Sequence, residues 1–155
     1  MKTPKKLSNI PTLSPDSIDA KESDYLYIKD SQIPKAGKGL YTSIPIFKNE
    51  IISVFKGKLL SKAEVEIRER RGEDRYFIIM LDGSVMDSMK IKCFAKYAND
   101  AEGLISVGYT NNATITLDDD NRVCLVAICE IASGEEIFCS YGRKYWKKHG
   151  KLLSV

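Results

Sequence analysis

The stretch ATITLDDDNRVCLVAICEI, residues 113–131, constrains the fold of this chain more than any other segment. Threonine alternates with apolar residues in its first part, a run of Asp and Asn follows, and the last part is almost continuously apolar. This pattern predicts a β-hairpin whose second strand is buried on both faces. Asp118, Asp119 and Asp120 resemble a cation site, but their position between two strands favours a solvated hairpin turn.

Short β-rich runs separated by turns make up most of the remaining chain. They lie at residues 25–30, at residues 40–60 around a Lys-Asn turn, and on both sides of an Asp-Gly turn at residues 82–83. One helix is predicted after Ser61, because Glu64 completes a capping box and Gly72 supplies a stop. Residues 91–100 predict a single helical turn that leads into a loop. Without βαβ alternation, these elements predict a mostly β fold.

The length and charge of the chain indicate one folded domain. We predict this domain at residues 24–146, after a flexible lead-in at residues 1–23 and before a basic tail at residues 147–155. No apolar run has the length of a transmembrane helix, and no signal peptide is visible, so we expect an intracellular protein without a membrane site. The net charge of +3 is small. The tail lysines therefore indicate solubility or an acidic partner, and no direct nucleic-acid site is expected.

The cysteines indicate reduced, buried thiols rather than a metal site. The four are Cys93, Cys124, Cys129 and Cys139, and they form no CxxC pair. The only histidine, His149, lies near the end of the chain. Because zinc sites need closely spaced ligands, we expect no bound metal. Three of the thiols lie in apolar runs, where cysteine behaves as a small hydrophobic residue.

Two further motifs suggest chemistry that their context does not support. Gly37 and Gly39 begin like a dinucleotide-binding pattern, but Thr42 stands at the third glycine and a strand follows instead of a helix. A turn with positive φ is one alternative, and a backbone that approaches a ligand closely is another. Glu135 and Glu136 resemble an acid–base pair. Adjacent strand residues face opposite ways, however, so we interpret them as a surface turn.

Five weak motifs carry more information in their order than any one of them does alone. They are AGKGLYTSIPIFKNEIISVFKG, YFIIMLDGSVMDS, AKYAND, NNATI and VAICEIASGEEIFCSYG. Together they resemble the SET domain of protein lysine methyltransferases, over residues 25–146. The resemblance implies a β-clip fold with several short curved sheets, a knot-like C-terminal segment and one or two short helices. The small free-standing viral and microbial members are the most similar.

The resemblance also implies a cofactor, S-adenosylmethionine, and a reaction, methyl transfer to a protein lysine, with a histone as the family default. Tyr141 would be the catalytic residue, and Trp146 would stack on the adenine. Relatives carry a Phe or Tyr at Cys139 that limits methylation, so the smaller thiol predicts room for di- or trimethylation. The implied cofactor-binding residues are Gly37, Lys38, Gly39, Tyr76, Asn99, Asp100, Tyr141 and Trp146. The implied substrate-binding residues are Tyr76, Tyr97 and Cys139.

The sequence departs from the family pattern in two ways. Asp100 stands at the histidine of the usual Asn-His pair, which PR-domain relatives also lack while some still methylate. The cysteine-rich flanks of the family are absent, and Tyr145 and Trp146 would close the site instead. The alternative function is a catalytically weak or inactive SET-like module that recognises a protein partner. Retention of Tyr141 and Asn99 favours the enzyme.

Location and assembly follow from the same resemblance as expectations. A histone substrate in a eukaryotic or viral setting predicts a nuclear protein, and any other setting predicts a cytoplasmic one. We expect a monomer or a homodimer. Adjacent to the site, the helix and loop at residues 61–75 correspond to the segment that varies most with substrate in this family.

Overall fold

The computed structural model describes residues 14–80, 82–103 and 108–141, and these residues form three small antiparallel sheets. The strands are β1 (Leu26–Asp30), β2 (Lys38–Thr42), β3 (Ile51–Val54), β4 (Lys58–Leu60), β5 (Phe77–Ile79), β6 (Val85–Asp87), β7 (Ala113–Leu117), β8 (Val123–Ala127) and β9 (Glu136–Ile137). The helical elements are α1 (Glu22–Tyr25), α2 (Lys62–Arg70) and a 3-10 turn (Ala95–Tyr97). The sheet orders are β1-β2-β9, β3-β8-β7 and β4-β6-β5. The predicted mostly β fold is confirmed.

The predicted hairpin consists of β7 and β8, which pair over their full length. All five residues of β8 are buried and β3 pairs with its other edge, so the prediction of a buried second strand is confirmed. Asp118 caps the turn by accepting hydrogen bonds from the backbone N–H groups of Asp120 and Arg122, at 3.0 and 2.8 Å. The turn prediction is correct, but Asp118 is buried rather than solvated. Its carboxylate accepts the hydrogen bonds that these backbone N–H groups would otherwise make to water.

The main hydrophobic core joins the first two sheets to the 3-10 turn. Its buried side chains come from α1, β1, β2, β3, β7, β8 and β9, together with the segment around Ala95. The third sheet packs on β8 through a smaller cluster of Ile78, Met86 and Val123. Three cysteine thiols are buried, as predicted, and only Cys129 is exposed. The third sheet therefore has its own, weaker apolar contact with the rest of the domain.

Helix α2 confirms the predicted capping box. Ser61 and Glu64 exchange hydrogen bonds between side chain and backbone N–H, both at 3.2 Å, and Gly72 has a φ of +68°. No residue of α2 is fully buried. The helix is anchored by Arg68, whose Nη1 donates to Oδ2 of Asp87 in β6 at 2.8 Å. This largely buried ion pair, more than apolar packing, holds α2 on the third sheet.

The C-terminal strand lies between segments that are distant in sequence. Strand β9 pairs with β2, Phe138 then forms a parallel bridge with Asn99, and Cys139 forms another with Ala113. Four consecutive residues thus join three earlier parts of the chain. They are the part of the predicted knot-like segment that the described residues include.

Residues 14–24 also contact the domain. Asp16 forms a parallel bridge with Glu50, and Ile18 packs against the main core. Part of the predicted lead-in is therefore packed, while the domain boundaries themselves stay predictions. Within the described residues, no helix has the length and apolar character needed to cross a membrane.

Replacing Asp87 with Asn is expected to lower the free energy of unfolding by about 3 kcal/mol, because the largely buried Arg68 would keep only the more distant carboxylate of Glu73, at 3.9 Å. Urea unfolding followed by circular dichroism measures the change. Glu66→Gln is the matched control, since it removes the exposed partner of Arg70 on the same helix and should cost no more than about 0.5 kcal/mol. Equal losses in the two variants would contradict the anchoring role of Asp87.

Candidate functional site

The glycine turn joins the end of the β1–β2 connection to the start of β2, and its two glycines are required for different reasons. Gly37 has a φ of +74°, and a Cβ at this position would meet no atom within 4 Å. The predicted turn with positive φ is therefore confirmed at Gly37. A Cβ on Gly39, by contrast, would overlap the carboxylate of Glu136. Gly39 is needed because β2 passes directly over a buried acidic side chain.

Glu136 is the polar centre of this region, and its interpretation as part of a surface turn is wrong. Its exposed fraction is 2%. Oε2 accepts the hydroxyl hydrogen of Ser31 at 2.6 Å, and Oε1 accepts the backbone N–H of Gln32 at 2.8 Å. The hydroxyl of Tyr41 lies 3.0 Å from Oε1 and 2.7 Å from the carbonyl oxygen of Asp30, so its single hydrogen is shared between these two acceptors. Glu135 is exposed, so the prediction that the two carboxylates face opposite ways is correct.

The contact with Glu136 changes the chemistry of Tyr41. Burial and the hydrogen bond to the Glu136 carboxylate raise the pKa of Tyr41 to about 12. The phenol therefore stays protonated and serves as a donor at neutral pH. Nothing in the local sequence indicated this pairing, since the two residues meet only because β2 and β9 are neighbours.

Asn99 connects the glycine turn to Glu136. Its Nδ2 donates to the backbone carbonyl of Lys38 at 2.9 Å and lies 3.4 Å from Oε2 of Glu136. The ammonium group of Lys38 points to a different partner, Asp30, at 2.7 Å in an exposed ion pair. Two of the predicted cofactor-binding segments are thus brought together, with the backbone of Lys38 inside the site and its side chain outside.

Asn112, in the stretch NNATI, holds the C-terminal strand. Its Oδ1 accepts the N–H of Phe138 at 2.8 Å, and its Nδ2 donates to the carbonyl of Glu136 at 2.9 Å. Both polar atoms of the buried amide are therefore satisfied by the backbone on either side of Ile137. The amide fixes the position of β9 next to Asn99.

Asp100 is buried, and its carboxylate accepts hydrogen bonds from three places. Oδ1 accepts the backbone N–H of Glu102 at 2.9 Å and Nδ2 of Asn111 at 3.0 Å. Oδ2 accepts the backbone N–H of Tyr141 at 2.9 Å. Asp100, where the resemblance predicts a histidine, is thus fully hydrogen-bonded within the site. It positions the backbone of the predicted catalytic tyrosine, Tyr141.

Tyr141 is held at its hydroxyl as well as at its backbone. The hydroxyl donates to the carbonyl of Ala98 at 2.6 Å, and the ring packs against the main core. Since the hydrogen points at Ala98, the lone pairs of the phenol oxygen point elsewhere. The side chain presents an oriented acceptor next to the segment that carries Asn99.

Tyr76 and Tyr97 meet at a shared cation. The Nζ atom of Lys96 lies 5.9 Å from the ring centroid of Tyr76 and 5.4 Å from that of Tyr97. Tyr76 has an exposed fraction of 36%, while Tyr97 is half-buried against the main core. The two predicted substrate-binding tyrosines thus lie near one common cation, Lys96, which the sequence did not indicate.

Cys139 lies in the main core with an exposed fraction of 1%. Burial, reinforced by the charge of Asp100, raises the pKa of its thiol, so the group is neutral and not a nucleophile. Trp146, Tyr145 and Gly142 lie outside the described residues. Among residues 14–80, 82–103 and 108–141, no group of three His, Cys, Asp or Glu side chains is arranged to hold a metal ion.

Replacing Glu136 with Ala is expected to lower the free energy of unfolding by about 3 kcal/mol, because several buried donors lose one charged acceptor. Thermal and urea unfolding measure the loss. Glu135→Ala is the matched control, an exposed carboxylate directly before β9, and should change stability by no more than about 0.5 kcal/mol. A Glu136 variant as stable as this control would contradict the central role of the carboxylate.

Comparisons with known proteins give a matching family and similar solved structures. A family model described as the SET domain matches residues 37–142. No curated protein sequence matches the chain. Similar solved structures include Polycomb Repressive Complex 2 of Chaetomium thermophilum in an autoinhibited conformation bound to S-adenosylmethionine, with a TM-score of 0.64 and 26% identity over 84% of this chain and 16% of that one.

The same complex bound to GSK126 has a TM-score of 0.63 and 26% identity, over 83% of this chain and 17% of that chain. The chain thus spans about one sixth of the length of the chains that it resembles. SET methyltransferases use S-adenosylmethionine as their cofactor. Because the family model matches well over half of the sequence, from the glycine turn to the residue after Tyr141, the protein belongs to the SET-domain family.

Proposed function

We propose that this protein is a protein-lysine methyltransferase that uses S-adenosylmethionine. One observation carries the proposal: the glycine turn, Asn99 and Tyr141 are far apart in sequence but share one hydrogen-bonded framework. Lys38 bonds to Asn99, Ala98 accepts the Tyr141 hydroxyl, and Asp100 accepts its N–H. A fold that served only as a scaffold would not require an oriented phenol beside this turn.

The residues present suit the cofactor. The space beside Gly37 is open, so the backbone there is accessible to a ligand. Asn99 uses its Nδ2 within the protein, and its Oδ1 accepts no hydrogen bond from the described residues, which leaves an acceptor for an ammonium or amine N–H. We assign cofactor contacts to Gly37, Lys38, Gly39, Tyr76, Asn99, Asp100, Tyr141 and Trp146. When bound, S-adenosylmethionine supplies an activated sulfonium methyl group.

The acceptor lysine must attack as a neutral amine. A free lysine has a pKa of about 10.4, so deprotonation near pH 7 costs about 4 to 5 kcal/mol. Desolvation and nearby positive charge lower this pKa, and alignment of the reacting groups supplies several further kcal/mol. The reaction therefore needs no strong general base, which agrees with a site that has no histidine among its described residues.

We assign the central position to Tyr141. Its hydroxyl hydrogen is directed to Ala98, so its oxygen offers lone pairs that orient the methyl group and the amine. The carboxylate of Asp100 takes over the positioning of this segment through the Tyr141 N–H. Tyr76 and Tyr97 supply ring faces that attract ammonium and methylammonium groups.

The acceptor is proposed to be a lysine in a flexible protein tail, with a histone as the first candidate. A nuclear location then follows for a eukaryotic or viral protein, and a cytoplasmic one otherwise. The second candidate function is a SET-like module that binds a protein partner without catalysis. The replacement of the family's histidine by Asp100 is the observation that favours this second candidate.

Calorimetric titration with S-adenosylmethionine, followed by radiolabel transfer to histones and to lysate proteins, tests the proposal. We expect binding in the micromolar range, about −8 kcal/mol, and transfer that depends on the acceptor lysine. Absence of cofactor binding would reject the enzyme. Binding without transfer to any acceptor would favour the partner-binding module.

Tyr141→Phe is expected to lower kcat by about 100-fold, because the variant keeps the ring and loses the oriented oxygen. Tyr27→Phe is the matched control: the Tyr27 ring stacks on Tyr41, and its hydroxyl makes no hydrogen bond within the described residues. Both variants should remain folded in a thermal scan. A Tyr141 variant with the activity of the control would remove Tyr141 from the catalytic role.

The methylation state of the product tests the role that we assign to Cys139. A thiol is smaller than the aromatic residue of relatives, so we expect dimethylated and trimethylated lysine among the products. Mass spectrometry of the acceptor after a time course distinguishes the three states. Monomethyllysine as the sole product at full conversion would contradict the prediction.

A further inference from the structure

Lys96 has an ammonium group held by several hydrogen bonds, and the proposed mechanism assigns it no role. Its ammonium group donates to the backbone carbonyls of Ser88, Met89 and Ile91, at 3.0, 3.2 and 2.9 Å. An ammonium group has three N–H bonds, so all of them are satisfied by one short segment after β6. The charge of Lys96 is therefore fixed in position and cannot swing into solvent without losing three hydrogen bonds.

The fixed charge lies at the two rings that were assigned to the lysine channel. Its distances of 5.9 and 5.4 Å from the centroids of Tyr76 and Tyr97 are within the range of cation–π attraction. Any second cation that uses the same two rings would lie within about 12 Å of Lys96, by the sum of two such distances. An incoming substrate lysine therefore meets a resident positive charge.

Three carbonyl dipoles solvate this charge, but no anionic side chain is paired with it. No carboxylate in the described part of the chain forms an ion pair with Lys96. The phenols of Tyr76 and Tyr97 face it, and the carboxylate of Asp87 adjoins the same segment by accepting the backbone N–H of Met89 at 3.2 Å. The segment that it binds is also joined to the Arg68–Asp87 pair, whose two charges compensate each other.

Two exposed lysines lie within or next to the segment of carbonyls that binds Lys96. Lys90 lies within it, Lys92 directly follows it, and both side chains are exposed to solvent. Their charges are screened by water and salt, whereas the ammonium of Lys96 is held against protein carbonyls. Lys96 is therefore a fixed source of positive potential near the two rings.

We propose that Lys96 is a positioning residue whose fixed positive charge favours the neutral, nucleophilic form of the incoming lysine. The proposal rests on the proposed function. At the upper limit of about 12 Å and an effective dielectric constant of about 20, like-charge repulsion lowers the pKa of the bound substrate amine by on the order of one unit. The amine loses its proton to water, and its nitrogen then forms the bond to the methyl carbon while the carbon–sulfur bond breaks.

The pH dependence of kcat tests this proposal, because kcat reports the protonation state of the enzyme–substrate complex. Lys96→Met removes the charge, so the substrate amine keeps its proton to higher pH. We expect the acidic limb of the kcat profile to move up by on the order of one pH unit, which is about a 10-fold loss of rate below that limb. Lys96→Arg keeps the charge and should keep the wild-type profile.

Two further variants separate charge from structure. Lys96→Gln is neutral but keeps N–H donors for the carbonyls, so it should reproduce the shift even if the Met variant folds poorly. Lys92→Met removes an exposed lysine four residues away and should leave the profile unchanged. A purely structural role for Lys96 predicts lower rates at every pH without a shift.

The outcomes distinguish a failure of the role proposed for Lys96 from a failure of the proposed methyltransferase function. Transfer by the wild type with an unshifted profile in folded Lys96→Met and Lys96→Gln would overturn the role of Lys96 and leave the methyltransferase intact. No transfer by the wild type would overturn the proposed function, and the role of Lys96 with it. A shift of the kcat profile in Lys96→Met and Lys96→Gln, with no shift in Lys96→Arg and Lys92→Met, supports the role of the charge.

Discussion

The buried carboxylate of Glu136 is the interaction on which the rest of the site depends. A charged group is tolerated in a protein interior only when hydrogen-bond donors replace its water. Ser31, Gln32 and Tyr41 supply these donors, and none of the ion pairs among the described residues includes Glu136. Because the donors belong to β2 and to the loop before it, satisfying one carboxylate fixes the glycine turn against β9.

Asp100 performs a similar task for the other half of the site. Its carboxylate accepts from Glu102, Asn111 and Tyr141, so it joins the loop after the 3-10 turn to the end of the C-terminal strand. A histidine presents two ring nitrogens, whereas a carboxylate presents two oxygens with several lone pairs each. The three N–H donors that converge here suit a carboxylate better than an imidazole. The hydrogen-bond donors around Asp100 therefore suit the aspartate that replaces the histidine of the family motif.

The third sheet is attached to this framework by fewer and more polar contacts. A small apolar cluster joins it to β8, and two cations hold the end of β6 and the segment that follows it. Arg68 binds Asp87 at the end of β6, and Lys96 binds the carbonyls of Ser88, Met89 and Ile91 that follow. The proposed methyl-transfer site lies on the well-packed side, while the rings of the proposed lysine channel lie where the two parts meet.

Local patterns determined much of the fold. The hairpin of β7 and β8, the capping box of α2 and the turn at Gly37 each depend on residues near one another in sequence, so propensity and spacing were sufficient to predict them. The motif order predicted which residues gather, including Asn99 and Tyr141. Only the tertiary structure decided that Glu136 is buried, that Asp100 binds the Tyr141 backbone and that Lys96 stands between two tyrosines. Each of these depends on contacts between segments about 40 to 100 residues apart, or on carbonyl groups that have no sequence signature.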